Sequence, residues 1–423
     1  MVHSADWHLG KMLGEHGREQ EHQQFLAFLL EQIAALSVDV LVIAGDVFDS
    51  ANPPQSAVSQ YYDFLYGLFK QGGCSVVVVA GNHDSPAHLE APRRLFKALG
   101  VHVIGAMPQA ALEVLVPLPD ANAPRLLVAA VPFLRDRDLR IGQSGQNAAE
   151  IQRSLVDGIQ RRYDEVIAAA KPWVDGGIPV LGTGHLTVIG AKVSESEREI
   201  HVGGLGSVAA DCFGAAFDYV ALGHLHRPQA AGGREMVRYS GSPIPLSFSE
   251  AEDCKALQVI DFVGGKTVGQ FALELPLMRR LIQLSASRMT LEAVLGGFRP
   301  PPTELSAWVE LVIEDPVAGE NLYDQVQEMA RGRGFEVIRV GGKRVVERSG
   351  MTVAGGFDAE RITELLAEPA SVFAHRLEAE PGLTAEEKVG LTTVFKELLD
   401  LHSEQERFSE TARGAGVCSG VEA

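Results

Sequence analysis

Five short polar clusters carry the residues that could do chemistry. They are Asp6-Trp7-His8, Gly45-Asp46-Val47-Phe48-Asp49, Gly81-Asn82-His83-Asp84, Gly184-His185 and Gly223-His224-Leu225-His226. Their donors are carboxylate and amide oxygens and imidazole nitrogens, which suit Mn, Fe or Zn. No cysteine stands among them, which argues against a soft site. On an extended chain a D-x-H or H-x-H pair points both side chains the same way, so both can reach one metal. A glycine opens four of the five clusters and lets the backbone turn tightly there. Two divalent ions about 3.5–4 Å apart are a known device for in-line displacement at phosphorus. One cluster alone says little, and a lone histidine such as His185 is more readily a core or loop residue. The signal is the whole set, in order. His3, His16, His22, His88, His102, His201, His375 and His402 lack this context. They read as structural or surface residues, although His88 is close enough to the third cluster to line a cleft.

The clusters need elements to bring them together. Apolar, β-branched runs at 38–44, 76–80, 126–131, 179–181 and 219–222 read as strands, and four of the clusters follow such a run. Continuous apolar strands suggest sheets covered on both faces, and ligands of open α/β sheets bind beyond the carboxyl ends of strands. The strand before Asp6 is short, since only Met1 and Val2 precede His3; it is expected to fray unless the start is misassigned. Helical spacing of Phe25, Leu29, Ile33 and Leu36 predicts a helix over 21–36. A second helix, 56–70, is aromatic, with Tyr61, Tyr62, Phe64, Tyr66 and Phe69. Strands at 237–239, 257–262 and 267–273 then complete an α/β domain over 1–273. A smaller α+β unit, 274–350, follows as strand 281–285, helix 290–295, strand 308–313, helix 321–330 and strand 335–340. Residues 351–408 read as helical, with a capping box at Thr384 to Glu387 and Leu391, Val394, Phe395, Leu398 and Leu401 along one face. The tail 409–423 reads as disordered.

The net charge is −18, from 37 Lys and Arg against 55 Asp and Glu. Chains that bind nucleic acid through their own surface usually carry a basic excess, so by charge alone this is a poor DNA binder and a poor partner for anionic membranes. Local basic clusters exist, at Arg135, Arg137 and Arg140 and at Arg331, Arg333, Lys343 and Arg344. Most such clusters are merely solvated; some could contact DNA phosphate. Cys74, Cys212, Cys254 and Cys418 form no C-x-x-C pair and read as reduced thiols. No signal peptide or apolar run of membrane length is evident, which suggests a cytoplasmic protein. No G-x-x-x-x-G-K-[ST] motif is present, so any ATP use falls to a partner.

The ordered motifs resemble the calcineurin-like metallophosphoesterases. The segments DWHLG at 6–10, AGDVFD at 44–49, AGNHDS at 80–85, TGHLT at 183–187, ALGHLH at 221–226 and YSGSPIPLSF at 239–248 resemble, more narrowly, the bacterial SbcD nucleases, over residues 1 to about 408. That resemblance implies a four-layer αββα sandwich with a small capping domain and a helical C-terminal extension. It implies two manganese ions, one held by Asp6, His8 and His226, the other by Asn82, His185 and His224, with Asp46 bridging. Activated water then attacks a DNA phosphodiester in line, in double-strand 3′→5′ exonuclease and hairpin endonuclease reactions. His83 is the expected partner of the phosphate or leaving oxygen. Asp84 either orients His83 or caps a helix. Asp49 stands where many archaeal and eukaryotic relatives place a catalytic histidine, and its role is open. The resemblance also implies a homodimer built with an SbcC-type ATPase. The 56–70 helix and the one near 92–99 either form the dimer interface or pack on their own sheet, and the 384–407 helix is expected to dock on the ATPase. A phosphoprotein phosphatase, a cyclic-nucleotide phosphodiesterase and a scaffold with a vestigial site are the competing readings.

Overall fold

The computed structural model describes residues 1–139, 148–192, 197, 207–263, 266–315 and 322–342, with 373, 377, 388, 390–392, 394 and 395. Its centre is two six-stranded sheets. In spatial order the first contains Lys266–Glu274, Ala256–Val263, Val2–Ser4, Val40–Ala44, Ser75–Val79 and Val101–Ile104. The second contains Gln229–Ala231, Arg234–Tyr239, Tyr219–Gly223, Val180–His185, Leu126–Ala129 and Leu115–Leu118. Side-chain alternation along a strand builds the layers. In Val40–Ala44, the side chains of Val40, Val42 and Ala44 join the core shared with the second sheet, while Leu41 and Ile43 face helices Glu19–Ala35 and Gln55–Gln71. Helix Ala148–Asp175 covers the second sheet with Leu155, Ile159, Tyr163, Val166 and Ala170. The result is the expected αββα order.

The short first strand is not frayed. Val2–Ser4 pairs parallel to Val40–Ala44 and antiparallel to Ala256–Val263. The Met1 ammonium donates to the Ile260 carbonyl at 2.9 Å. The hairpin from 256 to 274 therefore shields an edge that sequence pattern alone left open. Helix Gln55–Gln71 packs part of its aromatic stripe into the sandwich: Tyr61 and Phe64 are buried beside Leu65, whereas Tyr62, Tyr66 and Phe69 are exposed.

The cap carries three parallel strands, Leu281–Ala286, Ala307–Ile313 and Phe335–Gly342, with helices Leu291–Gly297 and Tyr323–Ala330. It has its own core around Leu295, Val309, Leu311 and Val326. Arg333 is spent inside this unit, donating to the Met329 and Gly296 carbonyls, and Arg331 pairs with Glu328. Arg140, Lys343 and Arg344 lie outside the described residues.

A buried ionic joint fastens the cap to the sandwich. Trp308 packs with Leu281 and Ile338 against Leu13 and Phe248. The Arg279 guanidinium lies 4.1 Å from the Trp308 ring centre, and that of Arg18 lies 5.6 Å away. Glu21 sits between these cations: it accepts two bonds from Arg18 Nε at 2.9 Å and pairs with Arg279 Nε at 3.2 Å. Arg18 also donates to the Pro245 carbonyl at 2.8 Å.

The chain divides into two compact units, 1–344 and 345–423. In the second, the Phe373 and Phe395 rings stack at 4.0 Å. The capping box at 384–387, Leu398, Leu401 and the tail lie outside the described residues. Cys74, Cys212 and Cys254 are free thiols, and Cys418 lies outside the described residues. Among the described residues no helix is long and apolar enough to cross a membrane.

Removing one member of a buried ion cluster leaves uncompensated charge. Glu21→Gln should therefore destabilise the protein by about 3–5 kcal/mol, read as a lowered midpoint in urea denaturation.

Candidate metal centre

The parallel strands deliver all five clusters to one edge of the sandwich. Backbone bonds join the first two: Asp6 N–H to Gly45 O at 3.0 Å, His8 N–H to Asp46 O at 3.0 Å and Leu9 N–H to Val47 O at 2.9 Å. The His83 N–H donates to Asp46 Oδ1 at 2.9 Å, and the His224 N–H to Asp6 Oδ1 at 2.8 Å. The two would-be ligand carboxylates thus also anchor the loops that bring the histidines.

The local backbone departs from the sequence argument. Asp6 (φ 53°), His8 (φ 47°), Asp46 (φ 49°) and His224 (φ 100°) occupy the left-handed region themselves. The D-x-H pair therefore converges through strained turns rather than an extended chain, and such strain concentrates at functional sites. The glycine that opens the third cluster also does more than turn the chain. Gly81 does not need a positive φ; a Cβ there would collide with the Asp46 carboxylate.

Three groups of donor atoms each fit within 4.8 Å: Asp6, His8 and His226; His8, Asp46 and His83; and Asp6, Asp46 and His185. Asp46 Oδ2 lies 3.5 Å from His8 Nε2 and 3.3 Å from His185 Nε2, between the two halves of the site. Asn82 Oδ1 is 3.0 Å from His185 Nε2. The His224 ring packs on His185, with centroids 5.5 Å apart. All seven expected ligands are therefore assembled, with His224 and Asn82 on the His185 side. Asp6 Oδ2 and His8 Nε2 are buried without a hydrogen-bond partner among the described residues. Orphaned buried polar atoms of this kind are costly, and divalent cations between these donors would satisfy both.

Three of the four expected histidine ligands are held through Nδ1, which leaves Nε2 for a metal. His8 Nδ1 meets Asp49 Oδ1 at 3.1 Å, His185 Nδ1 donates to the Ala44 carbonyl at 3.0 Å, and His226 Nδ1 meets Glu250 Oε1 at 3.2 Å. Glu250 is not among the residues expected from sequence, because it follows the last motif. It is fully buried, accepts from Lys255 Nζ at 2.6 Å and from the Leu246 N–H at 3.1 Å, and reaches Ser242 Oγ at 3.3 Å. The YSGSPIPLSF segment thus builds the holder of His226.

One assignment changes. Asp84 neither orients His83 nor caps the next helix. Its carboxylate accepts from the N–H groups of Gly81 (2.9 Å), Phe48 (3.0 Å) and Val47 (3.2 Å), stapling the second cluster to the third. Ser85 is the cap of helix Pro86–Glu90, its side chain accepting from the His88 N–H. Asp49, whose role was open, places its carboxylate on His8 Nδ1, and its backbone carbonyl accepts from His83 Nδ1 at 2.7 Å. His88 packs its ring on Phe48, in the helix-facing core.

Charge follows from burial. Burial lowers the pKa of His8, His226 and His224, the last also through its neighbour His185. Burial opposes the charged form of Asp46, but His185 and His8 outweigh it and hold this carboxyl far below its ordinary range. Burial likewise opposes charge on His185, yet the Asp46 carboxylate beside it drives its pKa up to about 9. Burial raises Asp6 and lifts Asp84 to about 7, with the Asp46 charge adding to both.

A family described as calcineurin-like phosphoesterase matches residues 1–228, and the type 5 capsule protein repressor C-terminal domain matches residues 278–380. The SbcD subunit of the SbcCD nuclease from Escherichia coli strain K12 is 36% identical over 384 residues, covering 90% of this chain and 93% of that protein. The chain belongs to the SbcD family of calcineurin-like phosphoesterases. The SbcD proteins of Rhodobacter capsulatus and Bacillus subtilis are 37% and 31% identical, over 74% and 80% of this chain and 76% and 85% of theirs. Like those relatives, this SbcD family member is a metal-dependent phosphoesterase by fold and donor set.

Two outcomes follow from the site. With its pKa at about 9, His185 holds a proton at neutral pH that a metal must displace. Metal affinity should therefore rise from pH 7 and level off above about 9, with proton release visible by calorimetry in buffers of different ionisation enthalpy. Glu250→Gln should weaken metal binding by about 10–100-fold, measured by calorimetric titration.

Proposed function

We propose that the chain is the nuclease component of an SbcCD-type complex and hydrolyses DNA phosphodiesters. The observation that carries this reading is the buried assembly of Asp6, His8, Asp46, Asn82, His185, His224 and His226 around the Asp46 carboxylate, with His83 beside it. In this proposal Asp6, His8 and His226 hold one divalent ion, Asn82, His185 and His224 the other, and Asp46 reaches both. Manganese is the proposed metal. Bound ions supply positive charge for the phosphate and activate water for attack.

The chain's own part is positioning and proton transfer. His83 is 8% exposed, and its ring stands edge-on to His8 with centroids 4.7 Å apart. With Nδ1 turned to the Asp49 carbonyl, Nε2 is the nitrogen that exchanges a proton with the leaving oxygen or donates to the phosphate. Relatives named as nucleases and aligned across nine-tenths of the chain favour this reading over a phosphoprotein phosphatase or cyclic-nucleotide phosphodiesterase, whose metal motifs would be the same. The substrates in this proposal are double-stranded ends, degraded 3′→5′, and hairpins. The partners are a second copy of the chain and an SbcC-type ATPase, in a heterotetramer. The domain limits 1–273, 274–350 and 351–408 are part of the proposal, with the cap contributing DNA recognition and the last segment binding the ATPase.

The test is manganese-dependent cleavage of blunt and hairpin duplexes, with and without the ATPase. Hydrolysis of phosphoprotein but not DNA would overturn the reading. His83→Ala should lower cleavage about 10²–10⁴-fold while metal content, read by elemental analysis, stays at the wild-type level.

A further inference from the structure

Lys11 has no task as a metal ligand, yet it is tied into the centre. Its Nζ donates to Asp49 Oδ1 at 3.0 Å, and its side chain is 21% exposed. The same Asp49 oxygen meets His8 Nδ1 at 3.1 Å, while the Asp49 carbonyl accepts from His83 Nδ1. Asp49 thus grips two histidines, one with its side chain and one with its backbone. The turn after Asp6 and the turn after Gly45 are zipped by backbone bonds that end at Asp49 N–H to Leu9 O, 3.1 Å, while Lys11 N–H closes its own turn on His8 O at 2.9 Å. Beside the His8–Asp49 bond, the Lys11–Asp49 pair is a second side-chain link between the two turns. The Asp49 side chain is 23% exposed, so water competes for it and a fixed cation selects one rotamer.

We propose that Lys11 is a positioning residue for phosphodiester hydrolysis: it pins the Asp49 carboxylate in the one orientation that aligns His8 toward a metal. This rests on the nuclease reading of the site. Part-exposed ion pairs contribute little to stability, so the effect of Lys11 falls on alignment rather than folding. The rival role is direct contact between Lys11 and a DNA phosphate. The two differ in what they change, since a phosphate contact acts on substrate binding and alignment acts on turnover.

The experiment uses the full-length chain as wild type, Lys11→Met, Lys11→Arg, Asp49→Asn and the Lys11→Met/Asp49→Asn double variant. Manganese affinity is measured by calorimetry, and kcat and KM are measured on a hairpin duplex. Lys11→Met should lower kcat and weaken manganese binding by about tenfold each, in the range seen for groups that orient metal ligands, with KM unchanged. Lys11→Arg should restore both, and the double variant should be no worse than Asp49→Asn alone. A raised KM with unchanged kcat and metal affinity would show a phosphate contact and overturn the proposal. So would wild-type values in Lys11→Met, or losses that add in the double variant. If the wild type cleaves no DNA, the nuclease reading fails, and the manganese affinities of the same variants still decide the role of Lys11.

Discussion

Everything at this site is arranged around a carboxylate that cannot be left alone. Asp46 is buried at the meeting of two sheets, where an isolated negative charge would cost many kcal/mol. The fold surrounds it with imidazoles, Nε2 of His8 on one side and Nε2 of His185 on the other, and with the His83 N–H. Those histidines arrive on separate strands of both sheets. The sandwich therefore has a polar centre at one edge that holds its sheets in register by charge as well as by apolar packing. The same charge makes a divalent cation the natural occupant, since only a cation relieves Asp6 and Asp46 together.

The acidity of the chain reads differently beside this centre. A net charge of −18 argues against a nucleic-acid surface. In the proposed function the site concentrates positive character at one place, in ions that seven donors would gather, with Lys11 close by. Attraction for phosphate is then local and conditional on metal, and the rest of the surface can stay acidic. Part of the basic cluster in the cap is committed elsewhere: Arg333 bonds cap carbonyls and Arg331 pairs with Glu328.

The candidate clusters were legible in the sequence because four of the five follow a strand end, and those strand ends are marked by a change from β-branched to polar residues. Three things were not legible. Helix Ala148–Asp175 leaves no clear mark in the pattern, and neither do edge strands such as Val101–Ile104. The helix is long, polar on most of its surface and interrupted by Pro172, so its apolar stripe is thin. The orienting residues are hidden because their work depends on contacts distant in sequence: Asp49 on His8, and Glu250 on His226 through a loop whose motif looks like a family label. Turn geometry is the third. At Asp6 and His8 the left-handed backbone lies in aspartate and histidine, residues that adopt it more readily than β-branched ones. Asp84 looks like a helper of its neighbour in sequence, when its partners lie on the adjacent strand's loop.

The match to the phosphoesterase family ends at residue 228, two positions past His226. The physical unit does not end there. Strands Arg234–Tyr239 and Ala256–Val263 complete the two sheets, and Ser242, Glu250 and Lys255 form the buried holder of His226. A segment cut at the motif boundary would keep every proposed ligand and lose the means of aiming one of them. The exchangeable module is therefore longer than the run of motifs. Any recombination that joined this catalytic half to a foreign cap would have to carry the stretch up to Glu274 with it, and the Pro245 carbonyl that meets Arg18 would have to fit the new joint.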